Sequence, residues 1–246
     1  MSPMKEATVR TVPEVQTTTI AVAGSDARFP VRRVYCVGRN YAAHAREMGA
    51  DPDRDPPFFF LKPADAVVPA EGELPYPPLT SDLHHEVELV VAIGRGGADI
   101  AERDAHAHIW GAAVAVDLTR RDLQADAKKA ARPWEWGKSF DAAAPCGPLR
   151  PLPEPVDLSR GAIWLEVDGA RRQHGSLDEM IWSAAEIIAF CSRASRLEPG
   201  DLILTGTPAG VGPLVPGNQI RAGIDGLGEI AFTVGLPTHG AAQRQA

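Results

Sequence analysis

Leu83-His84-His85-Glu86-Val87-Glu88-Leu89-Val90-Val91-Ala92-Ile93 is the clearest strand in the chain. Side chains along a strand alternate with period two. Leu83, His85, Val87, Leu89 and Val91 therefore share one face, and His84, Glu86 and Glu88 share the other. The second face continues into Val90 and Ala92, so the strand reads as buried rather than as a charged edge. Two like charges side by side on a buried strand are costly unless something positive lies between them. A divalent cation is one solution and arginine or lysine partners are another. The pattern alone leaves both open.

A further carboxylate favours the cation. Trp110-Gly111-Ala112-Ala113-Val114-Ala115-Val116 is almost wholly apolar and ends at Asp117. An acid at the end of a buried strand is a common site position, although Asp117 could also cap a helix from Leu118 onward. Three carboxylates without a cysteine ligand suit a hard cation, Mg²⁺ or Mn²⁺. His84 and His85 raise zinc as an alternative. Consecutive strand positions point to opposite faces, however, and His85 is expected to face the core as a hydrogen-bonded structural histidine.

Working outward, the 246 residues suffice for a real hydrophobic core. Hydrophobic residues make up 44% and charged residues 23%, so disorder is not the default. The net charge is -7 and no long basic run exists, which excludes the electrostatic footprint of a nucleic-acid binder. An anionic substrate must then be drawn in by local positive charge. Cys36, Cys146 and Cys191 are odd in number and far apart, so buried reduced thiols are expected. The N-terminal residues lack the apolar core of a signal peptide, and no apolar stretch approaches the roughly 20 residues needed to span a bilayer. These features imply a soluble cytoplasmic protein without membrane or nucleic-acid partners.

Residues 1–30 read as a lead-in, with a turn at Gly24-Ser25-Asp26. Val34 to Gly38 reads as a buried strand, Asn40 to Gly49 as a helix capped by Gly49, and Phe58 to Leu61 as a second buried strand. Ile163 to Val167 runs into the hairpin turn Asp168-Gly169. Ser176-x-x-Glu179 is a capping box expected to open a helix with Leu177, Met180, Ile181, Ala184, Ile188 and Cys191 on its apolar face. Asp201 to Thr205 reads as a strand, and Gln219 to Ile224 pairs with Glu229 to Val234. The tail 237–246 reads as flexible. Strands dominate without βα alternation, which predicts a mixed, β-rich α/β fold, mainly antiparallel with short helices.

Other residues carry possible chemistry. His44 and Glu47 lie three apart on the expected helix, close enough for the carboxylate to orient the imidazole as a general base, or to form an ordinary surface ion pair. Gly38-Arg39-Asn40-Tyr41 precedes them with a cation and an amide. Trp134-Glu135-Trp136-Gly137-Lys138-Ser139-Phe140 sets Lys138 among aromatics, either as an oxyanion partner or as a snorkelling surface lysine. Thr205-Gly206-Thr207-Pro208-Ala209-Gly210-Val211-Gly212 lacks the Gly-Lys-Ser/Thr ending of a P-loop. Its glycines can still offer N–H groups to an anion, or form a tight structural turn.

Taken in order, Gly38-Arg39-Asn40-Tyr41, His44-x-x-Glu47, Phe60-Leu61-Lys62-Pro63, His85-Glu86-Val87-Glu88-Leu89, Asp117-Leu118-Thr119-x-Arg121-Asp122, Gly137-Lys138-Ser139-Phe140 and Thr205-Gly206-Thr207-Pro208-x-Gly210-Val211-Gly212 resemble the fumarylacetoacetate hydrolase family. The resemblance spans residues 31–236, the expected catalytic domain. It implies the family's β-sandwich roll with short helices, a homodimer, and Mg²⁺ or Mn²⁺ on Glu86, Glu88 and Asp117. It implies water activation by His44 with Glu47, in a lid that orders over substrate. Lys138, Gln124 and Thr207 match substrate-contacting positions, with Arg39, Asn40 and Arg121 as helpers.

The enzyme that gives the family its name carries an extra N-terminal barrel domain, for which this chain is too short. The run from Arg28 to His44 is similar to the short acylpyruvase branch, in particular to its bacterial members that hydrolyse fumarylpyruvate. The implied reaction cleaves a carbon–carbon bond in a small 2-oxo or dioxo acid, giving pyruvate and fumarate. Decarboxylation of oxaloacetate, isomerisation or decarboxylation of another unsaturated dioxo acid, and a non-catalytic ligand-binding role are the alternatives.

Overall fold

The computed structural model describes residues 12–47, 55–153 and 157–237. The cap expected at Gly49 and the tail from residue 238 lie outside them, as do residues 1–11 of the lead-in.

The strand Val87–Ile93 lies inside a large mixed sheet, between Leu202–Leu204 and Ile109–Val116. Both neighbours run antiparallel to it. The sheet continues through Val34–Gly38 to an edge at Phe58–Lys62, and on the other side through Ala144–Cys146 to Val67–Pro69. Its two faces are covered differently. Val87, Leu89, Val91 and Ile93 pack toward a five-stranded sheet that contributes Ile163, Leu165, Ile220, Ala222 and Phe232. Val90 and Ala92 pack on the opposite face with Ile20, Val22 and Phe29. These last residues come from or adjoin the hairpin Thr19–Ala21 with Arg28–Pro30, so part of the lead-in closes the second core. Burial on both faces explains why the strand is apolar apart from Glu88.

The expected strand Leu83 to Ile93 is interrupted. Leu83–His85 belongs to a small sheet with Thr119–Arg120 and Gly212–Leu214, and the large-sheet strand begins only at Val87. The apolar run that ends at Asp117 behaves likewise: Ile109–Val116 lies in the large sheet and Thr119–Arg120 in the small one. The chain makes a third passage between Leu202–Leu204 and Gly212–Leu214. Three segments thus leave the large sheet for the small one at a common seam. The helix that follows Asp117 starts at Arg121, so Asp117 is not its cap.

Two other expectations need correction. Phe58–Lys62 is a strand but an edge one, with Phe58 45% and Leu61 52% exposed, because it has a neighbour on one side only. The box at Ser176 and Glu179 opens only a short 3₁₀ turn, Leu177–Glu179. The helix runs Ala184–Ala194 behind a second box, in which Ser183 and Glu186 cap each other. Met180 and Ile181 cannot be helical because they pair with Tyr41 and Asn40. The hairpin at Asp168-Gly169 and the pairing of Gln219–Ile224 with Gly228–Val234 are as expected. All three cysteines are buried and free. No described helix is long and apolar enough to cross a membrane.

Candidate metal centre and active site

Glu86 and Asp117 occupy the breaks at the seam, and Glu88 is the second residue of the large-sheet strand. The three carboxylates bring oxygen atoms within 4.8 Å of one another, and all three residues are buried. Like charges so close need compensation. Lys138 supplies part of it: its Nζ donates to Glu86 Oε2, Asp117 Oδ2 and Thr119 Oγ1, each at 2.7 Å. Arg121 pairs with the other oxygen of Glu86. Lys62 Nζ lies 2.8 Å from Asp117 Oδ1 and donates to the carbonyls of Leu118 and Lys138.

Both solutions left open by the sequence pattern are therefore represented, but unevenly. Glu86 and Asp117 have cationic partners. Glu88 has no ion pair among the described residues, only the Gly206 N–H at 2.7 Å. Burial opposes ionisation of Glu86, yet Lys138 and Arg121 outweigh it and hold the carboxyl well below its usual range. Burial pushes Glu88 the other way, well above that range, and Asp117 and Glu86 reinforce the shift. Asp117 Oδ1 also lacks a hydrogen bond despite its closeness to Lys62. An uncompensated carboxylate, an oxygen without a hydrogen bond and an all-oxygen donor set fit a hard divalent cation.

His44, on the short helix Ala42–Glu47, lines the same cavity as the triad. Its Nδ1 lies 3.4 Å from Glu47 Oε2. Glu47 also accepts from the Gly210 N–H, at 3.1 Å to Oε2, which ties the helix to the 205–212 loop. Burial lowers the His44 pKa, against the opposing pull of Glu86 and Glu47, so the ring is neutral at pH 7.

Two glycines of that loop cannot be replaced freely. Gly206 has φ 96°, and a Cβ there would meet the Asn40 Cβ at 2.7 Å. Gly210 has φ 92°, and its Cβ would lie 2.0 Å from the Arg172 carbonyl. Both conformations are natural to glycine alone. They let the loop turn its N–H groups to Glu88 and Glu47.

Arg39, Arg121, Gln124, Lys138 and Thr207 also line the cavity. Lys138 is buried rather than snorkelling. Arg121 is occupied by Glu86 and by Gln124 Oε1, the latter at 2.6 Å. Asn40 is placed differently from expectation. Its amide donates to the carbonyls of Trp182 and Thr205 and accepts from the Trp182 N–H, so it clamps the turn before the helix instead of facing the cavity.

His85 is buried as a structural histidine should be. Its Nδ1 lies 2.9 Å from Gln173 Oε1, and Gln173 Nε2 donates to Thr207 Oγ1 at 2.8 Å. Sequence reasoning missed Gln173, Lys62 and the cavity-lining Lys128. Lys62 lies in the Phe60-Leu61-Lys62-Pro63 motif, where a lysine after an apolar run is a local signal. No local signal marks the other two.

Fold and site together define a class: a β-rich sandwich enzyme with an oxygen-donor site for a divalent cation. The chain belongs to the fumarylacetoacetate hydrolase family, whose profile, Fumarylacetoacetate (FAA) hydrolase C-terminal, matches residues 33–235. A fumarylpyruvate hydrolase from Pseudomonas aeruginosa, solved in complex with Mn²⁺ and pyruvate, superposes with a TM-score of 0.88 at 53% identity, over 92% of this chain and 98% of that one. A fumarylpyruvate hydrolase from a Ralstonia species is 44% identical over 178 residues, covering 72% of this chain and 92% of the relative. A mitochondrial oxaloacetate decarboxylase from Dictyostelium discoideum is 42% identical over 197 residues, covering 80% and 90% respectively.

Proposed function

We propose that this chain is a divalent-metal-dependent acylpyruvate hydrolase that converts fumarylpyruvate and water to fumarate and pyruvate. The observation that carries this reading is one cavity lined by the carboxylate triad, His44 and Lys138. The Pseudomonas relative, solved with Mn²⁺ and pyruvate, supports it from outside the chain.

Glu86, Glu88 and Asp117 would hold Mg²⁺ or Mn²⁺. The cation would supply Lewis-acid stabilisation of the charge that gathers on the 2-oxo acid half. His44, oriented by Glu47, removes a proton from water. The hydroxide oxygen bonds to the acyl carbonyl carbon, and Lys138 exchanges one of its present contacts for the oxyanion that forms. The bond between that carbon and the neighbouring methylene then breaks. Its electron pair leaves with the pyruvate half, the proton held by His44 goes to the former methylene carbon, which becomes the pyruvate methyl, and the acyl half departs as fumarate. Thr207, Arg121 and Gln124 orient the substrate. We assign this chemistry to residues 31–236, working as a cytoplasmic homodimer. Light scattering should give twice the chain mass of 26.2 kDa.

The Dictyostelium relative favours a second reading, decarboxylation of oxaloacetate. That reaction also sends charge into a pyruvate enolate but needs no attacking water. Purified protein should be assayed on fumarylpyruvate and oxaloacetate, with Mn²⁺ and with EDTA. Faster Mn²⁺-dependent turnover of fumarylpyruvate supports hydrolysis. Turnover of oxaloacetate alone overturns it.

A further inference from the structure

The cavity at the seam carries more positive charge than the triad uses. Arg121 and Lys138 are engaged with the carboxylates. Arg39 and Lys128 line the same cavity and have no ion pair among the described residues. Lys128 is half-buried, with its Nζ 4.8 Å from the centroid of the Trp134 ring. Burial, and then Arg121 and Arg39 nearby, lowers its pKa to about 8. Cations gathered in this way without a direct ion pair can hold an anion. Arg39 is held there by its backbone, at φ 60° in a turn that the buried Asn40 pins to Thr205 and Trp182. Non-glycine residues in that region are uncommon and concentrate at ligand sites.

The space around these cations indicates which anion. The seam cavity is only about 30 Å³, room for about two water-sized groups. A second cavity of about 260 Å³ adjoins it and shares Gly38, Arg39 and Trp134 as walls. Phe58, Trp134 and Trp182 give the second cavity flat apolar sides, suited to a planar unsaturated chain. Asp55 also lines it and would repel a carboxylate there, which leaves the shared rim as the favourable place for a second negative charge.

We propose that Arg39 and Lys128 form a second anion site at the Trp134 rim, which takes the far carboxylate of a dicarboxylic acylpyruvate and selects such substrates over those with a neutral acyl chain. The proposal rests on the acylpyruvate reading above but is tested apart from turnover. Mn²⁺-loaded protein is titrated calorimetrically with 2-oxoheptanedioate and with 2-oxoheptanoate. The two probes have equal chain length and differ in the far carboxylate. Neither has a second carbonyl to hydrolyse.

The dioate should bind about tenfold tighter or more, as a charge-assisted contact implies. Lys128→Met and Arg39→Gln should each cut that ratio at least about threefold, and the double variant should abolish it. Thermal unfolding confirms that the variants are folded. Equal affinities in the wild type, or a ratio that survives in the double variant, overturn the proposal. A dioate preference in a protein that does not hydrolyse fumarylpyruvate leaves the anion site standing and removes the assigned reaction. Hydrolysis without the preference does the reverse.

Discussion

Asp117 donates its backbone N–H to the backbone carbonyl of Glu86 at 2.7 Å, at the point where both of their strands leave the large sheet. On an unbroken strand Glu86 and Glu88 would stand roughly 6.6 Å apart along the axis. The paired breaks free Glu86 and Asp117 from regular pleating while this bond keeps the two chains in register. Carboxylates from two strands then converge on one point.

Glu88 separates a cation site from an internal ion-pair network. Glu88→Gln removes a buried carboxyl whose ionised form no cation partner stabilises, so in EDTA the variant should be at least as stable as the wild type. Its Mn²⁺ affinity should nevertheless fall by about a hundredfold. Asp117→Asn breaks contacts to Lys62 and Lys138, and should cost about 3–5 kcal/mol in the same buffer. Thermal unfolding and a calorimetric Mn²⁺ titration read both quantities. Unchanged Mn²⁺ affinity in Glu88→Gln rules out the triad as the binding site.

His44→Ala should lower kcat for acylpyruvate hydrolysis by about 10²–10⁴ while leaving Mn²⁺ affinity close to wild type. The base must be neutral, so the rate falls as pH drops through the His44 pKa. Burial places that pKa below 6.5, and the acid limb should lie there too. Glu47→Gln withdraws a carboxylate that favours the imidazolium, so the limb should move still further to acid. A limb centred above pH 7 in a pH–rate profile means that another group is being titrated.

Lys138→Met should separate metal binding from catalysis. The ammonium makes contacts of 2.7 Å to Glu86 and to Asp117, so an incoming cation meets its repulsion. Its removal should tighten Mn²⁺ binding by about tenfold or more. In EDTA the variant loses about 3–5 kcal/mol, because two buried carboxylates lose a partner. Mn²⁺ should restore the stability, and hydrolysis should stay depressed. Weaker Mn²⁺ binding in a folded Lys138→Met protein contradicts this account.

Gln173 lies outside the cavity but holds Thr207, which lines it. The amide holds His85, the Val87 N–H, Thr207 and the Pro208 carbonyl together. Gln173→Leu leaves several of these buried groups unpaired and should cost about 2–4 kcal/mol. It should also raise KM, because Thr207 loses its orientation. Thr207→Val should reproduce the KM effect with a smaller loss of stability. Steady-state kinetics beside chemical denaturation checks both, and an unchanged KM in Gln173→Leu makes the residue purely structural.

The triad was legible because period two puts Glu86 and Glu88 on one face and an apolar run ends at Asp117. The hairpins were legible from the turn Asp168-Gly169 and from the matched runs Gln219 to Ile224 and Glu229 to Val234. The breaks at Glu86 and Asp117 were not: no glycine or proline marks them, and they arise from pairing with segments more than thirty residues away. The burial of Lys62 and Lys138 was hidden for the same reason, since each is set by a distant carboxylate. The helix at Ala184 was misplaced because two capping boxes compete, and Asn40 and Tyr41 decide between them from across the fold.

The seam also divides the molecule by how freely it can change over generations. Glu86 and Asp117 sit at breaks in strands buried on both faces, where almost any replacement disturbs packing on two sides. The walls that would meet the acyl chain come from an edge strand, a turn and the approach to a short helix, at Phe58, Arg39 and Trp134. Edges and loops accept substitution at little expense to the core. A lineage can therefore change what the rim accepts while the carboxylate seam is inherited intact.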